Sequence, residues 1–236
     1  MVIVLNRPEA GNSLDPDTGR GLLAALDRAA SDDVVRTVVM TGAGSKVFCA
    51  GMDLKAFAAG LDMSDVAGAI TALERCTKPV IGAINGTAVA GGFELAMRCD
   101  LVVATEHALF GLPEVKRSLV AAGGGTRLPS RIPLAVALEI GLTGDTFDAA
   151  RALSLGLINK VVPASAVVDE AIALAERINA NGPLAVRITK QLMYDELGAG
   201  DATHVAKVSA PVFRSEDARE GARAFAEKRT PVWKGR

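Results

Sequence analysis

Two glutamates near glycine-rich segments could carry out acid–base chemistry together. Glu94 is the only charged residue in the stretch 79–97, and it follows the paired glycines Gly91 and Gly92. A buried carboxylate is costly unless it is paired, hydrogen-bonded or chemically useful, and glycines allow a backbone to approach a ligand closely. Glu114 follows Pro113 twenty positions later. Two carboxylates in different protonation states can supply a base and an acid to one substrate.

Each glutamate alone has an ordinary structural explanation. A glutamate early in a helix often only interacts with the helix dipole, and one that follows a proline is a common first-turn acid. We favour catalysis because two loops, "FCAGMDLK" (48–55) and "NGTAVAGGFELA" (85–96), place small residues where the chain leaves a strand. Helix starts have unpaired N–H groups, and two converging N–H groups would hold an oxyanion, such as a thioester oxygen that becomes an enolate.

Nucleotide-binding loops are not supported by the glycine clusters. The segment "TGAGSKVF" (41–48) contains Lys46 but lacks the G-K-[ST] ending of a phosphate-binding loop, and "AAGGGTRL" (121–128) has no lysine. No G-x-G-x-x-G stands between a strand and a helix with an acidic residue about 20 positions later. Taken singly, these clusters are typical of tight turns.

The composition favours a cytoplasmic globular protein without a polyanionic partner. The 236 residues are 50% hydrophobic and 4% aromatic, and the formal net charge is −1. This balance argues against nucleic acid or an anionic membrane as a partner. The chain has an odd number of cysteines, Cys49, Cys76 and Cys99, and they lack C-x-x-C spacing. This pattern indicates reduced thiols. The N-terminus does not resemble a signal peptide, and no residue cluster has metal-ligand spacing.

The segment 79–97 is nearly long enough to span a bilayer. However, Pro79, Asn85 and four glycines divide it into a strand, a turn and a helix. We therefore predict a buried strand that leads into a buried helix, and no membrane partner.

Hydrophobic patterns predict alternating strands and helices, then a helical C-terminal third. The region 42–51 is predicted to be a glycine-rich loop, and strand signals fade after about residue 130. The predicted strands are Val2–Leu5, Val34–Thr41, Val80–Ile84, Leu101–Ala104 and Leu109–Phe110. The predicted helices are Asp15–Ala30, Asp65–Cys76, one from Gly91, Leu134–Gly141, Asp148–Leu155, Ala164–Asn179, Pro183–Tyr194 and Asp217–Lys228.

The motifs together resemble the enoyl-CoA hydratase/isomerase (crotonase) family. They include "FCAGMDLK", "GTAVAGGFELAMRCDLVVA", "FGLPEVKRSLVAAGGGTRLP", "GLTGDTFDAARALSLGLINKVV" and "AREGARAFAEKR". The similarity covers nearly the whole chain in order. It implies an α/β fold, the crotonase (ClpP-like) spiral of ββα units. Residues 1–180 would form the core with the CoA and catalytic site, and 181–236 a helical trimerisation region.

The resemblance also implies roles for particular residues. Glu94 and Glu114 would be the catalytic carboxylates, and the backbone N–H groups of Met52 and Gly91 would form the oxyanion hole. CoA and substrate would contact six further residues: Ala50, Gly51, Asp53, Leu54, Lys55 and Lys228, with Arg229 an alternative to Lys228 as a phosphate contact. Asp53 would chiefly fix its loop. No metal or separate cofactor is implied, because coenzyme A is part of the substrate.

The chain departs from the family pattern at five points. Met52 stands where alanine is usual, Ala90 replaces one of three glycines, and Ser118 stands where glycine is common. The segment after Glu114 is more polar than in many hydratases, which suggests a polar or unusual acyl chain. The chain lacks the first strands common in the family, so either the natural start lies upstream or the sheet has an exposed edge.

The predicted activity is addition of water to trans-2-enoyl-CoA by a homotrimer or a dimer of trimers. Alternatives on the same fold are an enoyl-CoA isomerase, a dehydratase of a 3-hydroxy or carnitine-like acyl-CoA, and a thioester hydrolase using Cys49. A non-catalytic CoA-binding or RNA-binding member is a further alternative. Both glutamates and the absence of a basic tail argue against it.

Overall fold

The structure of the protein is a computed structural model, and it describes residues 1–122, 125–197, 207–208, 210–212 and 214–236. The predicted turn at 121–128 and the predicted region 181–236 each include residues outside these ranges. The described strands form two sheets. They are β1 Val2–Leu5, β2 Val38–Gly42, β3 Val47–Cys49, β4 Val80–Ile84, β5 Thr87–Val89, β6 Leu101–Thr105, β7 Leu109–Gly111, β8 Phe147–Asp148 and β9 Lys160–Val162.

Three pairs of consecutive strands are divided between two sheets. The larger is parallel with the order β1-β2-β4-β6-β9, and the smaller has the order β3-β5-β7-β8, in which only the β7–β8 pair is antiparallel. Thus β2 is followed by β3, β4 by β5, and β6 by β7, each pair divided between the sheets. This repeat is the predicted ββα spiral. It places the ends of β3 and β5, where the site forms, side by side.

The central strands of the larger sheet, β2, β4 and β6, are buried on both faces, so they are nearly continuous apolar runs. In β2, Val38 and Met40 point into the main core while Val39 points into a second core. β4 alternates in the same way, because Ile84 lies in the main core and Ile81 in the second. Side chains alternate between the faces of a strand, so one sheet serves both cores.

Helices cover both faces of this sheet. The described α-helices are α1 Pro16–Ser31, α2 Leu54–Ala58, α3 Ser64–Arg75, α4 Gly91–Arg98, α5 Leu134–Thr143, α6 Ala149–Ser154, α7 Val167–Asn179, α8 Pro183–Leu197 and α9 Glu216–Glu227. Short 3₁₀ helices span Pro8–Ala10, Pro113–Arg117, Gly125–Ser130 and Ala164–Ala166. α7 covers the second core, and α1 packs against α3 beside the main core. Within the described ranges, no helix is both long and apolar enough to cross a membrane.

Several sequence-based boundaries were wrong. The strand predicted at Val34–Thr41 begins only at Val38, and Val34 is 87% exposed. The predicted loop 42–51 contains β3, β5 was not predicted, and β8 and β9 lie beyond residue 130, where strand signals fade. These strands have two or three residues each, too short to produce a periodic pattern. The edge strand β1 exposes Val2 and Val4 by about half.

Candidate active site

The start of α4 is built from an unusual backbone turn. Ala90 has φ 52° and ψ −133°, a conformation that residues with a Cβ adopt at a cost. Its N–H donates to the Gly111 carbonyl at 3.0 Å, and its carbonyl accepts the Glu94 N–H at 3.0 Å. These bonds hold the strained turn in place. It leaves Gly91 as the first helical residue, where an N–H has no intrahelical acceptor.

The paired glycines have different structural reasons. A Cβ on Gly92 would lie 2.0 Å from the Cys49 carbonyl oxygen, so only glycine lets α4 approach β3 this closely. A Cβ on Gly91 would instead meet Gly51 Cα at 3.4 Å and Met52 N at 3.6 Å, ordinary contact distances. Gly92 is therefore required by packing. Gly91 has space beside it and faces the loop that carries Met52.

The loop of residues 50–53 is fixed by hydrogen bonds on either side of Met52. Leu14 N–H donates to the Gly51 carbonyl at 2.8 Å, and Asp53 N–H donates to the Leu14 carbonyl at 2.9 Å. This parallel bridge does not use the Met52 N–H. Within the part of the chain that the structure describes, neither Met52 N–H nor Gly91 N–H has a hydrogen-bond acceptor. Two neighbouring backbone donors are thus available to a ligand.

Glu94 lies in the first turn of α4 and is only 5% exposed. Its Oε1 accepts a hydrogen bond from Gly125 N–H at 2.8 Å. The preceding residue, Phe93, packs against Phe110 and Phe147 with ring centroids 5.7 Å away in each case. This aromatic cluster anchors α4 on the smaller sheet, so the direction of the Glu94 side chain is set by core packing.

Glu114 lies in the 3₁₀ helix Pro113–Arg117 and is half-buried. Its Oε2 is buried with no hydrogen-bond partner within the described structure. Burial raises the pKa of the Glu114 carboxyl above its usual range, and the nearby charge of Glu94 raises it further. Both effects favour a protonated carboxyl at Glu114. The two glutamates predicted from sequence are therefore close enough for the charge of Glu94 to act on the Glu114 carboxyl.

Asp53 organises the Met52 loop. Its Oδ1 accepts the N–H groups of Lys55 and Ala56 at the start of α2, and its Oδ2 accepts two bonds of 3.1 Å from Arg7. The Ala56 N–H bond is the largest cause of a lowered Asp53 pKa, with the Arg7 guanidinium also contributing. Asp53 thus remains charged and holds the loop in one conformation. This is the role that was predicted for Asp53 from the sequence.

The other residues predicted to contact CoA or substrate lie in two separate parts of the chain. Ala50 and Gly51 lie in the Met52 loop, and Leu54 and Lys55 form the exposed first turn of α2. Lys228 follows α9 with φ 51° and is exposed. Among the described contacts, none brings Lys228 to the Met52 loop or to α4.

Cys49 does not fit the role of a nucleophile. It is fully buried, and burial raises the pKa of its thiol to about 12. A thiol of this kind stays protonated and unreactive.

Three residues of the site were missed from the sequence: Arg7, Leu14 and Gly125. Gly125 lies in a glycine cluster that gave a turn signal, but nothing in the sequence indicated that its N–H would face Glu94. Arg7 and Leu14 come from the N-terminal segment, about 40 residues before the loop they hold. Only pairing across the fold reveals them.

Together these groups can act on a polarised carbonyl compound. Two backbone N–H groups can stabilise negative charge that develops on an oxygen. Beside them stand a hydrogen-bonded carboxylate and a carboxyl with a raised pKa, the combination needed for moving a proton on and off carbon or water. Within the described ranges, no group of three or more His, Cys, Asp or Glu could hold a metal ion.

Comparisons with known proteins find similar chains along the whole length of this one. A family model described as enoyl-CoA hydratase/isomerase matches residues 1–236. Carnitinyl-CoA dehydratase of Proteus mirabilis is 42% identical over 249 residues, covering 100% of this chain and 95% of the relative. (E)-benzylidenesuccinyl-CoA hydratase of Thauera aromatica is 40% identical, covering 99% of this chain and 94% of the relative. A crystal structure of enoyl-CoA hydratase from Mycobacterium marinum superposes with a TM-score of 0.94 at 49% identity, covering 100% and 95% of the two chains.

Proposed function

Because the chain belongs to the enoyl-CoA hydratase/isomerase family, we propose that it is a hydro-lyase that adds water to a trans-2-enoyl-CoA thioester. The same site would catalyse the reverse dehydration. The observation that carries the proposal is the pair Glu94 and Glu114 beside the unused N–H groups of Met52 and Gly91. Relatives named as a hydratase and as a dehydratase of acyl-CoA compounds support this reaction class.

The proposed reaction divides the proton transfers between the two glutamates. Glu94, held by the Gly125 N–H, accepts a proton from water as the water oxygen attacks C3 of the enoyl group. The electron pair of the C2–C3 double bond moves towards the thioester, whose oxygen gains negative charge. Met52 N–H and Gly91 N–H stabilise that oxygen. Protonated Glu114 donates its proton to C2, which gives the 3-hydroxyacyl thioester.

The raised pKa of Glu114 fits this division of roles. A carboxyl whose pKa is raised by burial holds its proton more firmly and can act as the acid, with Glu94 as the acceptor in the same turnover. A proton must return from Glu94 to Glu114 after each cycle, which their closeness allows. The reaction needs no resident cofactor, because CoA is part of the substrate.

Met52 and the residues around it would shape the path of the substrate. Met52, with its long side chain beside the donor N–H, would limit the space next to the thioester. We further propose that Ala50, Gly51, Asp53, Leu54 and Lys55 line the path of the CoA moiety. Lys228 would complete that path only from a neighbouring subunit, which agrees with the proposed trimer.

A substrate panel tests the reaction. Purified protein is incubated with trans-2-enoyl-CoA thioesters of increasing chain length, and separately with carnitinyl-CoA and (E)-benzylidenesuccinyl-CoA. Mass spectrometry then detects gain or loss of one water. Movement of the double bond without a change in mass would instead indicate an isomerase, and free CoA would indicate a hydrolase.

Two variants test the assignment of the glutamates. Glu94→Gln and Glu114→Gln should each lower turnover about 10²- to 10⁴-fold, the contribution of one positioned acid or base. CoA binding should remain nearly intact. The double variant should lose less than the product of the single losses, because the two residues act as a unit. Nearly full hydration by Glu94→Gln, with hydration lost in Glu114→Gln, would exclude the two-carboxylate mechanism and leave Glu114 as the single catalytic carboxylate.

A further inference from the structure

Three charged side chains from three elements meet behind the site. Glu74, near the end of α3, accepts a hydrogen bond from Arg98 on Oε2 and another from Arg127 on Oε1. The Arg98 side chain is only 12% exposed, that of Glu74 is 30% exposed and that of Arg127 is 59% exposed. The pair with Arg98 is therefore largely sheltered from solvent, which makes it stronger than an ordinary surface ion pair.

The two arginines belong to the two elements that hold the catalytic base. Arg98 is one helical turn after Glu94 on α4, so it shares the rigid helix that carries this carboxylate. Arg127 is two residues after Gly125, in the 3₁₀ helix whose first N–H donates to Glu94 Oε1. Glu74 therefore connects the helix of the acceptor to the turn of the donor.

A cavity of about 770 Å³ lies beside this connection. Glu74, Glu94, Arg98 and Arg127 all line it, together with apolar side chains such as Leu128. The 3₁₀ helix is also attached to the main core through Leu128, and Arg131 Nη1 donates to the Met97 carbonyl of α4 at 2.9 Å. The ion pairs of Glu74 add a charged connection between the same two elements at the wall of this cavity.

We propose that Glu74 is a positioning residue for Glu94, acting through Arg98 and Arg127 to hold the Gly125 N–H against Glu94 Oε1. This inference rests on the proposed role of Glu94. Without the carboxylate of Glu74, α4 and the 3₁₀ helix lose the charged connection that joins Arg98 to Arg127. The 3₁₀ helix would then move relative to α4, and the hydrogen bond to Glu94 would lengthen.

The test uses Glu74→Gln, which keeps the size of the side chain and removes its charge. The expected result is a kcat about 10- to 100-fold lower with KM changed less than about threefold, since a shift of about 1 Å in a catalytic group has effects of this size. Arg127→Gln should act in the same direction without a folding problem, because Arg127 is mostly exposed. The double variant should be little worse than Glu74→Gln, because both changes break one connection.

The matched control is Glu139→Gln. Glu139 also pairs with an arginine, Arg151, through both carboxylate oxygens. This pair is exposed, and no contact among the described residues joins it to Glu94. It should leave kcat and KM unchanged. Circular dichroism and the unfolding midpoint of each variant are compared with the unaltered protein, so that loss of fold is distinguished from loss of position.

A spectroscopic measurement makes the test independent of turnover. The carboxylate stretch of Glu94 is isolated as the infrared difference between the unaltered protein and Glu94→Gln. The same difference is taken in the Glu74→Gln background. Loss of the Gly125 hydrogen bond should shift this band, whereas a general loss of stability would not.

The possible outcomes separate the two proposals. A shifted band with a lower kcat supports the positioning role. An unshifted band in folded Glu74→Gln overturns it, as does a kcat within twofold of the unaltered protein. If no acyl-CoA in the panel reacts, the proposed function fails, and the infrared band alone still decides whether Glu74 positions Glu94.

Discussion

The two glycines before Glu94 should differ in how the same substitution affects the stability of the fold. Gly92→Ala would place a Cβ 2.0 Å from the Cys49 carbonyl oxygen, about 1 Å closer than real Cβ contacts allow. Since the obstacle is backbone, α4 must move away from β3. We expect a loss of about 1–3 kcal/mol or more in the free energy of unfolding, the usual cost of overpacking. Turnover should fall as well, because Glu94 moves with its helix.

Gly91→Ala should instead preserve the fold and impair the reaction. The nearest atom to the new methyl group is 3.4 Å away, so the free energy of unfolding should change by less than about 1 kcal/mol. The methyl group would, however, lie 3.6 Å from Met52 N, in the space where the thioester oxygen must bind both N–H groups. We expect turnover to fall roughly 10²- to 10³-fold, the effect of losing one oxyanion donor.

Urea denaturation and initial rates on the best acyl-CoA substrate measure the two effects separately. Gly21→Ala in α1 is the control, because its Cβ would meet no atom within 4 Å. This change should add up to about 1 kcal/mol of helix stability without altering turnover. Full turnover by Gly91→Ala would remove the oxyanion hole from the mechanism. A Gly92→Ala protein as stable as its parent would refute the packing argument.

Three further predictions concern ionisation, backbone strain and assembly. Because the folded-state pKa of Glu114 is raised, its contribution to stability is complete at low pH and is lost as pH rises through that pKa. Glu114→Gln should therefore stabilise the fold more at about pH 8 than at about pH 5, and an equal Tm change at both would contradict this. Ser118 has φ 54°, so Ser118→Gly should raise Tm by roughly 1–4 °C in calorimetry, and a fall would exclude strain there. Leu134, Leu138 and Leu142 are exposed on α5, and sedimentation should show a trimer or a dimer of trimers. A stable monomer at micromolar concentration would refute this assembly.

Part of the site could be predicted from the sequence because it depends on residue type. A charged side chain within an apolar run, and glycines directly before it, are visible without any structure. The long strands and amphipathic helices were also predicted, since each produces its own hydrophobic pattern. The order of these motifs was enough to indicate the family and the fold, both of which the comparisons confirm.

The remaining features depend on contacts between distant residues. β3 and β5 exist because they pair with each other across about 40 residues, and three residues alone have no detectable preference for a strand. Ser118 illustrates the same limit, because its left-handed backbone conformation is visible only in the folded structure.

The sequence by itself determined which groups could do the chemistry, and the tertiary structure decided how each would behave. The difference between Glu94 and Glu114 is the clearest case. Both are glutamates near the start of a helical turn, yet one accepts a hydrogen bond from Gly125, and the other has a buried oxygen with no hydrogen-bond partner among the residues that the structure describes. The pKa of a carboxyl depends on its desolvation, hydrogen bonds and neighbouring charges. Those are properties of the surrounding space, which forms only when segments far apart in the chain pack together.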